Sequence, residues 1–168
     1  MSAPLPETVD AWRMVTARRS FQGTLPIAAM SRLKDSLAST DGHVDYELEF
    51  GKDGFGIAFV HVQASASLVL TCQRTLEPFV LPVAIDRQLG LIVREEDEAG
   101  LPPGYEPLLT ADGHIEPLEV IEDELLLALP VVPTRPDAGS AAEWSFGPDA
   151  AEVGSANPFA VLGRLNKK

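Results

Sequence analysis

With 168 residues, 45% of them hydrophobic, the chain has the length for one domain with a real core and too many apolar residues for wholesale disorder. Its one cysteine, Cys72, excludes an internal disulfide and any metal site built on several thiolates. The net charge of -12 is unevenly spread: residues 1–34 carry +3, residues 154–168 carry +3, and the body between them carries -18. Nucleic-acid binders usually present a basic face, whereas this chain has basic ends around an acidic body, and solubility is the ordinary reason for so many acids. No apolar run is long enough to span a bilayer, and the N-terminus lacks the charged-then-apolar layout of a signal peptide, so a cytoplasmic location is expected.

In chain order, Val9 to Arg18 has the spacing of a short amphipathic helix, with Val9, Trp12 and Val15 or Thr16 on one side. Ser20 to Thr24 reads as extended. Pro26 suits a first helical turn, and Ile27, Met30, Leu33 and Leu37 have helical spacing, which predicts a helix to about Ser39. Val44, Tyr46, Leu48 and Phe50 alternate with polar residues as in a half-buried strand. Gly51-Lys52-Asp53-Gly54 is expected to turn it into a second strand, with Phe50 opposite Phe55, Leu48 opposite Ile57 and Tyr46 opposite Phe59. Gln63-Ala64-Ser65-Ala66 is expected to make a second tight turn, leading to a third strand with Leu68, Leu70 and Cys72 on the same apolar face.

Phe79 to Val93 reads as a further strand in which Pro82 marks an edge or bulge. Glu95 to Tyr105 is an exposed acidic loop, Glu106 to Thr110 a short strand, and Asp112-Gly113 a turn. A helix then starts at Pro117, with Glu116 and Glu119 at the positive end of its dipole and Leu118, Ile121, Leu125 and Leu129 on one face. Residues 134–156 have little periodicity and read as a mobile linker. Asn157 and Pro158 suit the start of a short closing helix.

Three constellations carry the functional reading. The helix sets Glu119, Asp123 and Glu124 around Val120 and Leu127, with Glu122 at the border of its apolar stripe. Dense helical acids are most often a solvated face. Apolar Val120 and Leu127 among them call for either a covering layer or a partner surface. Cys72-Gln73-Arg74 sits in a strand, where a lone cysteine is most often a small core hydrophobe; cysteine catalysis would need an activating histidine, and none is well placed. Arg18-Arg19 beside Phe21, and Arg164, Lys167 and Lys168 at the other end, fit phosphate contact and base stacking, with plain solubility as the ordinary alternative.

Cys72-Gln73-Arg74 with Pro78-Phe79, the acidic helix with its stop at Leu129-Pro130 and Pro133, and Asn157-Pro158-Phe159-Ala160-Val161-Leu162 occur in an order that resembles the YceD family of large ribosomal RNA subunit accumulation proteins. Phe21-Gln22-Gly23 is similar to that family's aromatic-x-Gly. The resemblance runs from about residue 10 to the end. It implies a role in accumulation or processing of 23S ribosomal RNA, with no catalytic residues to carry over. Many members have C-x-x-C where this chain has Thr75 in place of the second cysteine, so a zinc or redox role tied to that pair does not operate here.

The expectation is an α+β fold: an antiparallel meander of hairpins packed by a few helices. Residues 1–133 form the domain, 134–156 a partly disordered linker and 157–168 a short helix. The expected protein is non-enzymatic, with no cofactor and no metal. Its partner is 23S ribosomal RNA or its precursor, touched by Arg18, Arg19, Arg164, Lys167 and Lys168, or a basic ribosomal protein, held by Glu119, Val120, Asp123, Glu124 and Leu127. Cys72, Gln73, Arg74 and Glu122 are read as structural, with Arg74 as the expected partner of Glu122.

Overall fold

The computed structural model describes residues 5–110 and 112–136. Those up to Arg135 form one compact unit. The elements are β1 (Val9–Asp10), α1 (Ala11–Ala17), β2 (Ser20–Pro26), β3 (His43–Lys52), β4 (Ala58–Thr71), β5 (Pro78–Ile92), β6 (Glu106–Leu109), β7 (His114–Ile115) and α2 (Pro117–Ala128). Short 3-10 turns cover Ile27–Ala29, Leu33–Ser36 and Glu95–Gly100. The main sheet has the order β2-β3-β4-β5-β6; the first four strands form an antiparallel meander and β6 joins parallel to β5. β1 and β7 make a separate two-stranded pair. The α+β architecture is the one expected. The expected linker beyond Pro136, the closing helix and Arg164, Lys167 and Lys168 lie outside the described residues.

One face of the sheet is the core face. Tyr46, Leu48 and Phe50 of β3, Val60, Val62, Ala64, Leu68 and Leu70 of β4, and Phe79, Val83, Ile85, Leu89 and Leu91 of β5 are buried. α1 and α2 contribute Ala11, Val15, Val120, Ile121 and Leu125 to the core. Pro82 lies in the half of β5 that pairs with β4 alone, β6 reaching only Leu89 to Ile92, so its missing N–H interrupts no second ladder.

The hairpin register differs from the expected one. Phe50 pairs with Val60, Leu48 with Val62 and Tyr46 with Ala64. The cause is the Asp53 side chain, which accepts the N–H groups of Phe55 and Ile57 and, with Gly56 at a φ of 85°, builds a longer loop. Phe55 is left 91% exposed at its tip. The displacement is an odd number of residues, so Val60 and Val62 take the core face in place of Ile57 and Phe59. The expected turn at Gln63 to Ala66 does not exist: β4 runs straight through it, with Ala64 buried and Gln63 and Ser65 facing out. The two differences cancel beyond Ala64, and Leu68, Leu70 and Cys72 point inward as expected.

The expected helix from Pro26 to Ser39 is replaced by the first two 3-10 turns. Ile27, Met30 and Leu33 are each fully buried. Their three-residue spacing suits the 3-10 repeat as well as the α-helix. What would be the fourth-residue helical bonds of Arg32 and Leu33 go elsewhere: both N–H groups donate to Glu122 Oε1 of α2, at 2.6 and 2.9 Å. Arg32 Nε approaches Glu122 Oε2 at 3.4 Å, and Arg32 Nη1 pairs with Asp123 at 2.5 Å. Glu122 is held by Arg32 and Leu33 and not by Arg74. A buried carboxylate therefore staples α2 to the segment between β2 and β3.

On the outer face, Gly90 accommodates the side chain of Leu101, which a Cβ there would meet at 2.5 Å. Tyr105 donates its hydroxyl to Asp53 at 2.8 Å and accepts from Gln88, so the acidic loop after β5 is folded back over the sheet at this end.

Removing the staple leaves two backbone N–H groups without their acceptor and leaves Asp123 as the remaining carboxylate partner of Arg32. Glu122→Ala is expected to cost about 3 kcal/mol in urea unfolding; a loss below about 1 kcal/mol, the value of an exposed pair, contradicts this account.

Candidate functional site: an acidic groove along α2

α2 forms because Pro117 occupies its first turn, Glu119 lies at the positive end of its dipole, and Pro130 closes it. Its apolar stripe faces the sheet. The side toward β5 and β6 stays open as a groove of three recesses that share walls. At the helix start the walls are Leu108, Glu116, Glu119, Val120 and Asp123. In the middle recess, about 450 Å³, they are Leu89, Glu106, Leu108, Glu124, Leu126 and Leu127. At the far end Arg87, Glu106, Glu124 and Leu127 close it. Acidic rims over an apolar floor are what a basic amphipathic segment fits.

The expected partner-binding residues are gathered here with different exposures. Glu119 and Asp123 lie on the exposed side, and Asp123 is already paired with Arg32. Val120 is covered by the core, while Leu127 is 75% exposed, so the two apolar residues among the acids have opposite fates. Glu124 is 7% exposed, yet among the described residues its carboxylate accepts no hydrogen bond and forms no ion pair. Burial pushes its pKa up, and the neighbouring carboxylates of Glu106 and Asp123 add to this against the opposing pull of Arg87. Arg87 Nε lies 3.6 Å from Glu106.

Arg87 and Glu106 were not among the residues singled out from sequence. Phe79, Leu81, Val83, Ile85, Leu89 and Leu91 share one face of β5, and Arg87 interrupts that series, a break in alternation that marks the groove.

Arg18 and Arg19 sit at the C-terminal cap of α1, where Arg18 takes a left-handed conformation with φ 46°. Both are exposed, and with Arg13 they make no ion pair among the described residues. They form a small basic surface separate from the α2 groove.

The Cys72 turn meets the stop after α2. Gln73 N–H donates to the Pro133 carbonyl at 2.8 Å, and Arg135 N–H donates to Cys72 Sγ at 3.4 Å. Arg135 also reaches Glu77 at 3.3 Å and the Pro78 carbonyl at 3.5 Å. Two motifs far apart in sequence are thus one structural joint, which fixes the chain after α2. The thiol is fully buried in a small cluster with Leu70 and Phe79. The Thr75 hydroxyl, then the backbone N–H groups of Arg135, Thr75 and Arg74, pull its pKa down to about 6 against the effect of burial. Thr75 therefore donates to the cysteine from the place where a second cysteine stands in a C-x-x-C pair. No histidine joins them: His61 lies on the outer face, bound to Asp86 at 2.6 Å and 3.8 Å from Glu49. At the aromatic-x-Gly motif, a Cβ on Gly23 would meet the Tyr46 hydroxyl at 3.1 Å, so glycine there gives the tyrosine room.

The profile of the family described as Large ribosomal RNA subunit accumulation protein YceD matches residues 60–166. The chain belongs to the YceD family. A curated YceD relative from Haemophilus influenzae, named Large ribosomal RNA subunit accumulation protein YceD, is 30% identical over 169 residues, covering 98% of this chain and 97% of that protein. No solved structure matches the chain. Among the described residues, no helix is long and apolar enough to cross a membrane. Within this YceD chain the matched profile takes in the Cys72 joint, α2 and the whole groove side of β5 and β6.

The Cys72 thiolate is expected to titrate by absorbance near 240 nm with a midpoint close to 6. Because the folded pKa lies below the unfolded value of about 8.5, its stabilising effect is full above that value and fades as pH falls through the folded one. A midpoint near 8.5 means that the donors around Sγ do not act together. Glu124 has the opposite sign. Its raised pKa makes the charged form a burden that grows as pH rises above the unfolded value of about 4.3. Glu124→Gln is therefore expected to melt above the wild type near about pH 8 and level with it near about pH 4; a variant that melts lower near about pH 8 refutes the assignment.

Proposed function

We propose that this chain is a non-enzymatic, cytoplasmic factor that supports 23S ribosomal RNA accumulation and large-subunit assembly, and that it works by holding a basic protein segment in the α2 groove. Family membership supports the first part. The second is supported by one observation: an open groove whose rims carry Glu106, Glu116, Glu119 and Asp123, whose floor is apolar, and whose edge exposes Leu127. A basic protein segment bound for ribosomal RNA would carry positive charge that an acidic groove can neutralise. An acidic body with a net charge of -12 is suited to that and poorly suited to lying on ribosomal RNA.

A second reading keeps a direct RNA contact through Arg13, Arg18 and Arg19. Its support is that these three exposed cations are unpaired among the described residues. The two readings separate by complementation in cells lacking the protein. The docking reading expects Glu119→Lys with Leu127→Lys to fail to restore 23S ribosomal RNA, and Arg18→Ala with Arg19→Ala to restore it. The reverse pattern assigns the function to RNA contact. Both substituted pairs are exposed, so unfolding does not confuse the result.

A further inference from the structure

The middle of the α2 groove holds a carboxylate that the fold itself does not use. Glu124 is nine-tenths buried and takes no hydrogen bond or ion pair among the described residues, although it lines both the middle and the far recess. No side-chain oxygen or nitrogen among the described residues is both sealed from solvent and without a hydrogen-bond partner, so the Glu124 carboxylate keeps an opening to solvent. Glu106 on β6 faces it, and the one nearby cation, Arg87 on β5, is already 3.6 Å from Glu106. A buried acid left without a partner costs stability. An incoming cation would relieve that cost, which makes the position one where stability and function oppose each other.

We propose that the recess at Glu124 is a subsite for one lysine or arginine side chain of a basic amphipathic protein segment lying along α2. This rests on the docking reading and sharpens it. Leu89, Leu108, Leu126 and Leu127 wall the middle recess, so the alkyl stem of the guest lies on apolar surface while its charged end reaches Glu124 and Glu106. A divalent metal is the poorer occupant. Hard cations take six or more oxygen ligands, and the described residues hold no group of three His, Cys, Asp or Glu arranged for a metal.

The test uses the full chain and a fluorescein-labelled synthetic peptide with lysine and leucine at helical spacing, followed by anisotropy. The peptide binds the wild type, and the same peptide with acetylated lysines does not. Glu124→Gln weakens binding by about tenfold or more, as for loss of a desolvated charge-assisted contact. Glu119→Gln, on the exposed rim, weakens it by no more than about threefold. The melting temperature of Glu124→Gln, read alongside, is no lower than that of the wild type. Peptide binding unchanged by Glu124→Gln but abolished by Leu127→Lys overturns the subsite and leaves the docking reading standing. No binding of the lysine peptide to the wild type overturns both. Magnesium ions that raise the melting temperature of the wild type and not of Glu124→Gln assign the recess to a metal and also overturn the proposal.

Discussion

Glu122 accepts the N–H groups of Arg32 and Leu33 from ninety residues away, and the position of α2 follows from that contact. The carboxylate lies inside the protein, so it demands donors, and it takes the N–H groups of Arg32 and Leu33, which then make no helical bond of their own. Ile27, Met30 and Leu33 are free to plug the core as 3-10 turns, and Arg32 is drawn onto Asp123. With one side of α2 fixed in this way and its apolar stripe on the sheet, recesses remain between the helix and the strands β5 and β6. The groove is the open remainder of a helix docked along one edge.

The Cys72 joint fixes the same helix from its far end. Gln73 holds Pro133 and Cys72 holds Arg135, so the chain leaving α2 is sewn to the end of β4 and the start of β5. The sulfur acts here as a hydrogen-bond acceptor for a ring of donors, with the Thr75 hydroxyl foremost among them. That gives the Cys-Gln-Arg motif a structural purpose in a chain whose second cysteine is a threonine.

Local patterns were legible in the sequence where local forces decide. The alternation of Val44, Tyr46, Leu48 and Phe50 gave β3 its correct face, and Pro117 with Pro130 gave α2 its bounds. The hairpin register was not legible, because the Asp53 side chain sets the loop length and a single residue of displacement reverses a face. The segment after Pro26 looked helical because its apolar spacing satisfies two kinds of helix, and the deciding acceptor, Glu122, lies on another element. The groove was half legible. Its α2 wall was visible as acids around Leu127, while Glu106 and Arg87 came to it through the parallel pairing of β6 with β5, which no short-range pattern encodes. The interruption of the apolar face of β5 by Arg87 was the trace it left in the sequence.

The groove brings together two properties that are otherwise at odds: surplus negative charge at neutral pH and exposed apolar surface. A basic amphipathic protein segment satisfies both, and RNA satisfies neither. The most direct test places a photo-crosslinking benzoylphenylalanine at position 127, on the lip of the groove, and at position 18, on the basic surface, in growing cells. The account predicts that position 127 captures a basic large-subunit ribosomal protein and that position 18 does not. Capture of 23S ribosomal RNA at position 18, with position 127 silent, would contradict it.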